Sequence, residues 1–395
     1  MGKIKMGQQA ATENGGKPKA FRVVFFVLLG LVLLLNLFCF SPAFCDWYVV
    51  YVFPLWLDTY GRFSDLFPFS LGQVLIGAGI LLVLAAAVLL PFTLVSLWKY
   101  RKMRGAERRQ GLFLRFSGGF YRVFLYILLL TALLMTLNCS IPYRCSRLTI
   151  SDREDYTIGE LRKLRNYLVE QCNAYAQQFP RDAQGRLAVF VSVREMDEAS
   201  RRAMQDLADR YPRLGGYYPD MKPVFHSQLM VQSGMAGVYF PFSMESNYNA
   251  EMYFLNDYAV FSHERAHIKG YMFEEEANFF AYLACTGSED PLCRYSGYLS
   301  VLGYVDNDFY ASTTKEDYLQ QVRISPEVCL DDIFVTEEVR QKAAEESGIS
   351  AETATEMNHT FMDGYLDYYD IEGGRASYAR VTGLLLQYYD VNGYE

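Results

Sequence analysis

The chain has 395 residues and a formal net charge of −8, but the charge is unevenly divided. Residues 1–139 are strongly apolar and contain 14 Lys/Arg and 5 Asp/Glu, a net charge of +9, which leaves −17 on residues 140–395. This division is typical of a membrane anchor joined to a water-soluble domain. The acidic part lacks the clustered Lys and Arg that bind nucleic acid or anionic lipid, so we expect no nucleic-acid partner.

Three apolar stretches are long enough to cross a bilayer, which takes about 20 helical residues. They are Val23–Phe40, Leu71–Trp98 and Phe120–Asn138. Pro91 lies inside the second, where a kink is tolerated, and Arg122 near the start of the third can extend to the interface. We therefore predict a basic tail over residues 1–22 and a three-helix membrane region over residues 23–139.

The basic residues predict an orientation. The tail and the loop between the second and third spans are rich in Lys and Arg, whereas the loop between the first two spans has only Arg62. The positive-inside rule then places the tail and the second loop in the cytoplasm and residues 140–395 outside it. A cleaved signal peptide over residues 1–43 is the alternative, and it leaves the C-terminal domain on the same side. The aromatic loop 46–70 is expected at the interface or against the outer domain.

The C-terminal domain is predicted to be mainly helical with a small sheet, a mixed α+β class. Helical periodicity covers residues 156–179, 194–211, 326–335 and 376–389, and strand-like runs cover 186–193 and 235–245. Pro241 indicates that the second strand is an edge strand. The eight cysteines form no CxxC pair, so a structural zinc site of four cysteines is not expected. Disulfides (Cys285 with Cys293, or Cys139 with Cys145) and free thiols both remain open.

Two of the chain's four histidines lie in the stretch "SHERAHIKGYMFEEEANFF". His263 and His267 are four residues apart, on one face of a helix predicted over about 257–269, and can bind one zinc ion together. Glu264 follows the first histidine and is placed to act as general base on a zinc-activated water, the chemistry of the H-E-x-x-H pattern. The alternative is a purely structural role: a charged amphipathic helix, followed by a second helix whose acidic first turn interacts favourably with the helix dipole.

A catalytic zinc site usually has a third protein ligand and an open position. Gly270 can end the helix in a left-handed cap, after which the chain can return a carboxylate to the metal. Glu274 is the favoured third ligand, and Glu275 is its main competitor. Asn278, one turn after Glu274, can orient Glu274 or a histidine.

These residues resemble a known family. "HERAHIKGYMFEEEANFFAYLAC", together with "FPFSLG", "YPDMKPV", "GMAGVYFPFSMESNYN" and "YLDYYDIEGGRASYARVTGLLLQYY", is similar to the bacterial membrane family catalogued as domain of unknown function 3810, whose members look like gluzincin-type zinc metallopeptidases. The resemblance implies a zincin-like outer domain, one Zn²⁺ held by His263, His267 and Glu274, Glu264 as base, and a multi-pass protein of the bacterial plasma membrane. It implies no particular substrate.

Two functions from different classes follow. The first is a membrane-anchored zinc metallopeptidase that hydrolyses peptide bonds of a peptide or protein substrate outside the cytoplasm, with Glu264 as general base. The second is a catalytically inactive binding or assembly protein of the membrane that keeps the zincin-like fold. The sequence indicates no oligomeric state.

Overall fold

The computed structural model of the chain describes residues 17–103, 111–153, 155–346, 348, 352–353, 356 and 375–394. Residues 1–16 of the predicted basic tail and residues 104–110 of the basic loop between the second and third spans lie outside this part.

Helices dominate the described part of the chain, and three short strands accompany them. The helices are α1 (Lys17–Phe38), α2 (Pro42–Tyr51), α3 (Phe53–Trp56), α4 (Arg62–Ser64), α5 (Leu71–Lys102), α6 (Leu112–Met135), α7 (Ile158–Ala176), α8 (Val193–Asp206), α9 (Ser227–Ser233), α10 (Leu255–Ile268), α11 (Glu274–Gly287), α12 (Pro291–Ser312), α13 (Lys315–Leu319), α14 (Pro326–Asp331), α15 (Glu337–Glu346) and α16 (Arg375–Asn392). The strands are β1 (Lys222–Pro223), β2 (Gly237–Phe240) and β3 (Glu245–Tyr248). Short π-helical turns lie at Leu57–Gly61 and Thr136–Ser140. The predicted class, mainly helical with a small sheet, is confirmed.

Three helices are long and apolar enough to span a membrane, as the sequence predicted: α1, α5 and α6. Many of their large apolar side chains are exposed, for example Phe26 at 65% and Leu81 at 70%. Helix surfaces of this kind are consistent with a membrane protein, because lipid rather than water surrounds such side chains there.

The chain forms two compact units, and the first consists of Met1–Phe40 and Ala78–Thr136. Polar side chains join its helices. Asn36 Nδ2 of α1 donates a hydrogen bond to Thr136 Oγ1 at 2.9 Å, and the Tyr121 hydroxyl of α6 donates to the Ala86 carbonyl of α5 at 2.7 Å. Hydrogen bonds of this type are a usual means of association between apolar helices.

The second unit consists of Ser41–Gly77 and Leu137–Glu395, so the aromatic segment between the first two spans is part of it. Tyr48, Phe53 and Leu57 of that segment are almost fully buried. The Tyr60 hydroxyl donates to the Phe242 carbonyl, just after β2. Residues far apart in the sequence therefore share one core.

The sheet has the order β1-β3-β2, with β1 parallel and β2 antiparallel to the central strand β3. The strand before Pro241 is thus an edge strand, as predicted. Ser246 Oγ donates to the Glu264 carbonyl of α10, so this face of β3 packs on α10. Since side chains alternate along a strand, Glu245 and Asn247 project from the opposite face.

A buried ion pair lies on that opposite face. Lys222 Nζ contacts Glu245 Oε1 at 2.6 Å and also donates to the Ser64 carbonyl. Glu245 in addition accepts the backbone N–H groups of Leu71 and Gly72, at 3.2 and 2.7 Å. These are first-turn groups of α5, which have no partner within the helix, so Glu245 caps α5 from the sheet.

Helix α10 is the central element of the second unit and packs against α8, α11, α12, β2 and β3. Capping boxes begin two surrounding helices: Thr157 with Glu160 at α7 and Ser192 with Glu195 at α8. Residues 186–193, predicted to form a strand, do not form one. Leu187 makes a single bridge with Arg181, residues 188–192 belong to no strand of the described chain, and Val193 already begins α8. Neither of the two disulfides considered, Cys285 with Cys293 or Cys139 with Cys145, is formed.

Asp257 makes the stability of the fold depend on pH. It lies in the first turn of α10, is 6% exposed, and its Oδ1 has no hydrogen-bond partner among the described residues. Burial raises the pKa of this carboxyl to about 8. The folded state thus holds the proton more tightly than the unfolded chain, where the pKa is about 3.9. The stabilisation that this carboxyl provides is therefore complete below about pH 4 and lost as the pH rises toward 8.

We expect Asp257→Asn to be more stable than the wild type, by an amount that grows to a few kcal/mol between about pH 5 and pH 8.5. Melting temperatures of the detergent-solubilised protein at several pH values would measure this. Asp206→Asn is the control, because Asp206 is exposed and its change should not alter the pH profile. Parallel pH profiles for the wild type and Asp257→Asn would contradict the assignment.

Candidate metal centre

Helix α10 presents two histidines on one face. His263 and His267 lie one turn apart, and their Nε2 atoms are 3.0 Å from each other. The helix ends where Gly270 adopts a left-handed conformation, φ +85°. The N–H of Gly270 donates to the His267 carbonyl and that of Tyr271 to the Ala266 carbonyl, a Schellman motif. This cap turns the chain so that α11 starts beside α10.

The three acidic residues that begin α11 point to three different partners. Glu274 contacts both histidines, with Oε2 3.2 Å from His263 Nε2 and Oε1 3.5 Å from His267 Nε2. Glu275 is buried and pairs with Arg147 and, at 3.5 Å, with Arg380. Glu276 accepts the Leu148 backbone N–H. Glu274 is thus the acid that the structure brings to the histidines, and Glu275 is turned away from them.

The outer nitrogen of each imidazole already has a partner. His263 Nδ1 lies 2.8 Å from Asn278 Oδ1, and His267 Nδ1 lies 2.8 Å from the Tyr271 carbonyl oxygen. A carbonyl oxygen only accepts, so each Nδ1 carries the hydrogen and each Nε2 presents a lone pair. Two lone pairs and a carboxylate then face one another, which is an arrangement that calls for a cation or a shared proton.

The spacing of these atoms fits a small metal ion. Ligand atoms of His263, His267 and Glu274 all lie within 4.8 Å of one another. Tetrahedral zinc with Zn–N distances of about 2.0–2.1 Å would hold its ligand atoms about 3.3 Å apart. The separations of 3.0, 3.2 and 3.5 Å are close to that value. No fourth His, Cys, Asp or Glu joins the cluster within the described ranges.

The cluster is open on one side. The side chain of His267 is 8% exposed and that of His263 16%, whereas that of Glu274 is 45% exposed. Solvent therefore reaches the centre past Glu274. Catalytic metal sites keep such an accessible position, whereas structural metal sites are closed by protein ligands.

Without a bound cation, the site holds a proton. Burial alone would lower the pKa of His267, but the hydrogen bond and the charge of Glu274 outweigh it and raise the pKa to about 9. For Glu274, hydrogen bonds from His263 and His267 outweigh the opposing effect of burial and hold the carboxyl pKa below its usual range. A metal ion would displace this proton, so binding should release protons and strengthen as the pH rises.

Glu264 lies under the edge strand. It is 4% exposed, and its Oε2 has no hydrogen-bond partner among the described residues. Burial raises its carboxyl pKa to about 7, against the lowering effect of the two histidines. A Cβ atom at Gly237 of β2 would lie 2.4 Å from Glu264 Oε1, so only glycine allows strand and carboxylate to approach this closely. Burying a carboxylate oxygen without a hydrogen-bond partner costs free energy, which indicates a missing polar neighbour.

Four other polar or charged residues, Glu245, Asn247, Arg380 and His226, lie apart from the centre. Glu245 caps α5, and Asn247 projects from the same sheet face, so neither lines the cleft. Arg380 is directed to Glu275. His226 lines a separate cavity of about 440 Å³ with Phe225 and Leu229. Sequence reasoning did not identify the roles of Gly237 and of the Tyr271 carbonyl, since backbone approach leaves no signal in residue type.

Comparison with known proteins identifies the family. Residues 48–386 match the model of a family described as "Protein of unknown function (DUF3810)". The chain belongs to this family. No curated protein and no solved structure matches it.

The DUF3810 match confirms the family resemblance noted in the sequence. It contains all four residues His263, Glu264, His267 and Glu274, together with the segment of residues 48–77 that joins the second unit. The family description assigns no activity, so the function of this DUF3810 protein has to be argued from the geometry of its own side chains.

Proposed function

We propose that this protein is a membrane-anchored, zinc-dependent metallopeptidase with a zincin-like outer domain. The observation that carries the proposal is the meeting of His263 Nε2, His267 Nε2 and Glu274 while both Nδ1 atoms are engaged elsewhere. Two imidazoles and one carboxylate are a donor set of catalytic zinc sites, and partners on the outer nitrogens are their usual support. The positive-inside pattern of the sequence supports a domain outside the cytoplasm in a multi-pass protein of the bacterial plasma membrane.

Glu264 is the residue that would move protons. Zinc, when bound, polarises a carbonyl group and makes a water molecule more acidic. The Glu264 carboxylate follows the first ligand on the helix, is buried and has an unpartnered oxygen. It would accept a proton from the attacking water and pass it to the leaving amine. In a closed structural site, such a carboxylate would have no role.

The edge strand β2 suits an extended substrate. Its inner edge pairs with β3, and Gly237 at its start touches Glu264. A peptide that adds to the outer edge of β2 would lie along the strand next to the metal ligands, held by backbone hydrogen bonds. The proposed substrate class is accordingly an extended segment of a peptide or protein.

Metal content is the direct test of the proposal. We expect about one zinc per chain in the detergent-purified protein by elemental mass spectrometry, and its loss in His263→Ala, His267→Ala and Glu274→Ala. Glu275→Ala should keep the metal because Glu275 faces Arg147 and Arg380. His226→Ala is the matched histidine control.

Asn278→Ala tests the support of the ligands. Loss of its contact with His263 Nδ1 should weaken zinc binding by about 10–100-fold without abolishing it. A well-folded wild type that binds no metal, even after zinc is added, would overturn the peptidase and leave a binding or assembly role. Zinc binding that persists in Glu274→Ala would show that Glu274 is not the third ligand.

A further inference from the structure

The backbone of β2 directs its groups to the outer edge of the sheet at every second residue. The Ala236 carbonyl accepts the Asn249 N–H at 2.9 Å, which makes the even-numbered residues of this register the hydrogen-bonded ones. In an antiparallel pair, the residues between them turn their N–H and C=O groups away from the partner strand. Gly237, Tyr239 and Pro241 therefore present their backbone groups at the outer edge, where a peptide substrate would pair.

The outer edge is covered from Pro241 onward. Pro241 has no N–H group, and its carbonyl accepts Asn138 Nδ2 at 2.9 Å. The Tyr239 hydroxyl donates to the Asn138 carbonyl at 3.3 Å, and Asn138 is fully buried. The Phe242 carbonyl accepts the Tyr60 hydroxyl. Asn138 thus occupies the place where the next residue of a paired peptide would lie, so the open edge ends at Tyr239.

The segment that covers the edge continues to the metal ligands. The Tyr143 ring packs edge-on against Phe273, with ring centroids 6.0 Å apart, and the Arg147 guanidinium lies 3.9 Å from the centre of the Phe273 ring. Phe273 directly precedes the ligand Glu274. We call residues 138–147 the end wall, because they run from the covered end of β2 to the start of α11.

The distance between the base and the end wall limits the length of peptide that fits. Gly237 approaches Glu264 closely, so the bond that is cut lies beside the start of β2. From Gly237 to Pro241 a strand rises about 13 Å, at about 3.3 Å per residue. An extended peptide paired with β2 rises by the same amount, so about three or four residues fit between that bond and the end wall.

The pairing direction and Asn138 indicate which end of the substrate lies at the wall. Antiparallel pairs are more stable per residue than parallel ones and outnumber them about two- to three-fold. A peptide antiparallel to β2 has its amino end over Tyr239 and its later residues beyond Gly237. Because Asn138 Nδ2 donates to a carbonyl, the other amide atom is Oδ1, which is buried and has no hydrogen-bond partner among the described residues. Such an acceptor suits the N–H groups of an amino terminus and disfavours a carboxylate.

We propose that this site releases short segments from the amino ends of peptides, cutting after no more than about four residues because the end wall stops the chain. The inference rests on the proposed metallopeptidase and specifies its substrate. Water adds across the C–N bond, so that the carbonyl carbon gains the hydroxyl group and the leaving nitrogen gains the proton. The products are a peptide of a few residues with a new carboxylate and the remaining chain with a new amino end.

Peptides that differ only in the position of one bond test this proposal on the detergent-purified, full-length protein with zinc bound. Mass spectrometry of a library of free peptides would first locate the bonds that are cut. The preferred sequence is then moved inward by about ten residues, about 33 Å of extended chain, and the short form is acetylated at its amino end or amidated at its carboxyl end. We expect the inward shift and the acetylation each to lower hydrolysis of that bond by about 10-fold or more, and amidation to have little effect.

Asn138→Ala tests the end wall itself. Loss of the amide uncovers the Pro241 carbonyl, so this variant should cut the inward-shifted bond several-fold faster than the wild type does, at unchanged zinc content. Asn166→Ala is the matched control and should behave as the wild type, because Asn166 is half-buried on α7 and bonds to Gln321. If Asn138→Ala does not fold, the peptide series alone decides the proposal.

Three results would contradict the proposal in different ways. Hydrolysis of the inward-shifted bond at the rate of the terminal one would overturn the end wall. Loss of hydrolysis on amidation, but not on acetylation, would place the carboxyl end at the wall and overturn the assignment of the amino end. A zinc-containing protein that hydrolyses no peptide of any length would overturn the proposed function, and this inference with it.

Discussion

Glu264→Gln is expected to remove peptide hydrolysis almost completely while the protein keeps its zinc. Glutamine has the shape of glutamate and fits under Gly237, but it cannot take a proton from water. Loss of a general base of this kind costs about 10²–10⁴-fold in turnover. The buried carboxylate also has an unpartnered oxygen, so the neutral amide should leave the fold at least as stable. Turnover of a peptide library and metal content, measured on the same preparation, would test both expectations.

Two further variants, Glu198→Gln and His263→Ala, separate the loss of a general base from the loss of the metal. Glu198→Gln removes a glutamate on the surface of α8 and should keep full activity. His263→Ala should lose both zinc and activity, whereas Glu264→Gln should lose only activity. Hydrolysis at the wild-type rate in Glu264→Gln would show that this residue is not the base. Equal inactivity of the wild type and Glu264→Gln, with zinc bound in both, would favour a binding module.

Glu245→Ala is expected to destabilise the second unit by about 3–5 kcal/mol, because it leaves Lys222 charged and buried without a partner. Lys222 is 4% exposed, and Glu245 is 1% exposed. The change also removes the acceptor of the Leu71 and Gly72 N–H groups at the start of α5. The thermal unfolding midpoint in detergent would measure the loss.

A double substitution separates the charge from the cap. In Lys222→Met with Glu245→Gln, no buried charge remains, and the glutamine carbonyl oxygen can still accept from one of the two α5 N–H groups. We expect this variant to recover most of the stability that Glu245→Ala loses. A double variant as unstable as Glu245→Ala would show that the ion pair itself, rather than the uncompensated charge, stabilises the fold.

The parts that the sequence predicted are those governed by local periodicity. Apolar length identified α1, α5 and α6, and the four-residue spacing of His263 and His267 put both on one face of α10. Gly270 marked the end of that helix because a left-handed cap favours glycine. These signals are contained within a few turns of chain, so a single sequence suffices to read them.

The parts that the sequence did not predict depend on distant partners. Residues 186–193 have a strand-like pattern, yet a strand forms only where a second strand supplies hydrogen bonds. The sequence favours Glu274 over Glu275 as the third ligand, but it does not reveal the partners of Glu275, Arg147 and Arg380, which lie 128 and 105 residues away. No local pattern carries that information.

The link between Glu245 and α5 also has a consequence for the order of synthesis. Gly72 and Glu245 are 173 residues apart, and at about 5–20 residues per second the ribosome needs about 10–35 s to make the chain between them. Through that interval the Leu71 and Gly72 N–H groups at the start of α5 lack the Glu245 carboxylate that accepts them in the folded protein. A fragment that starts after the third apolar helix would never receive the segment Ser41–Gly77, and it would lack part of its own core, including Tyr48, Phe53 and Leu57.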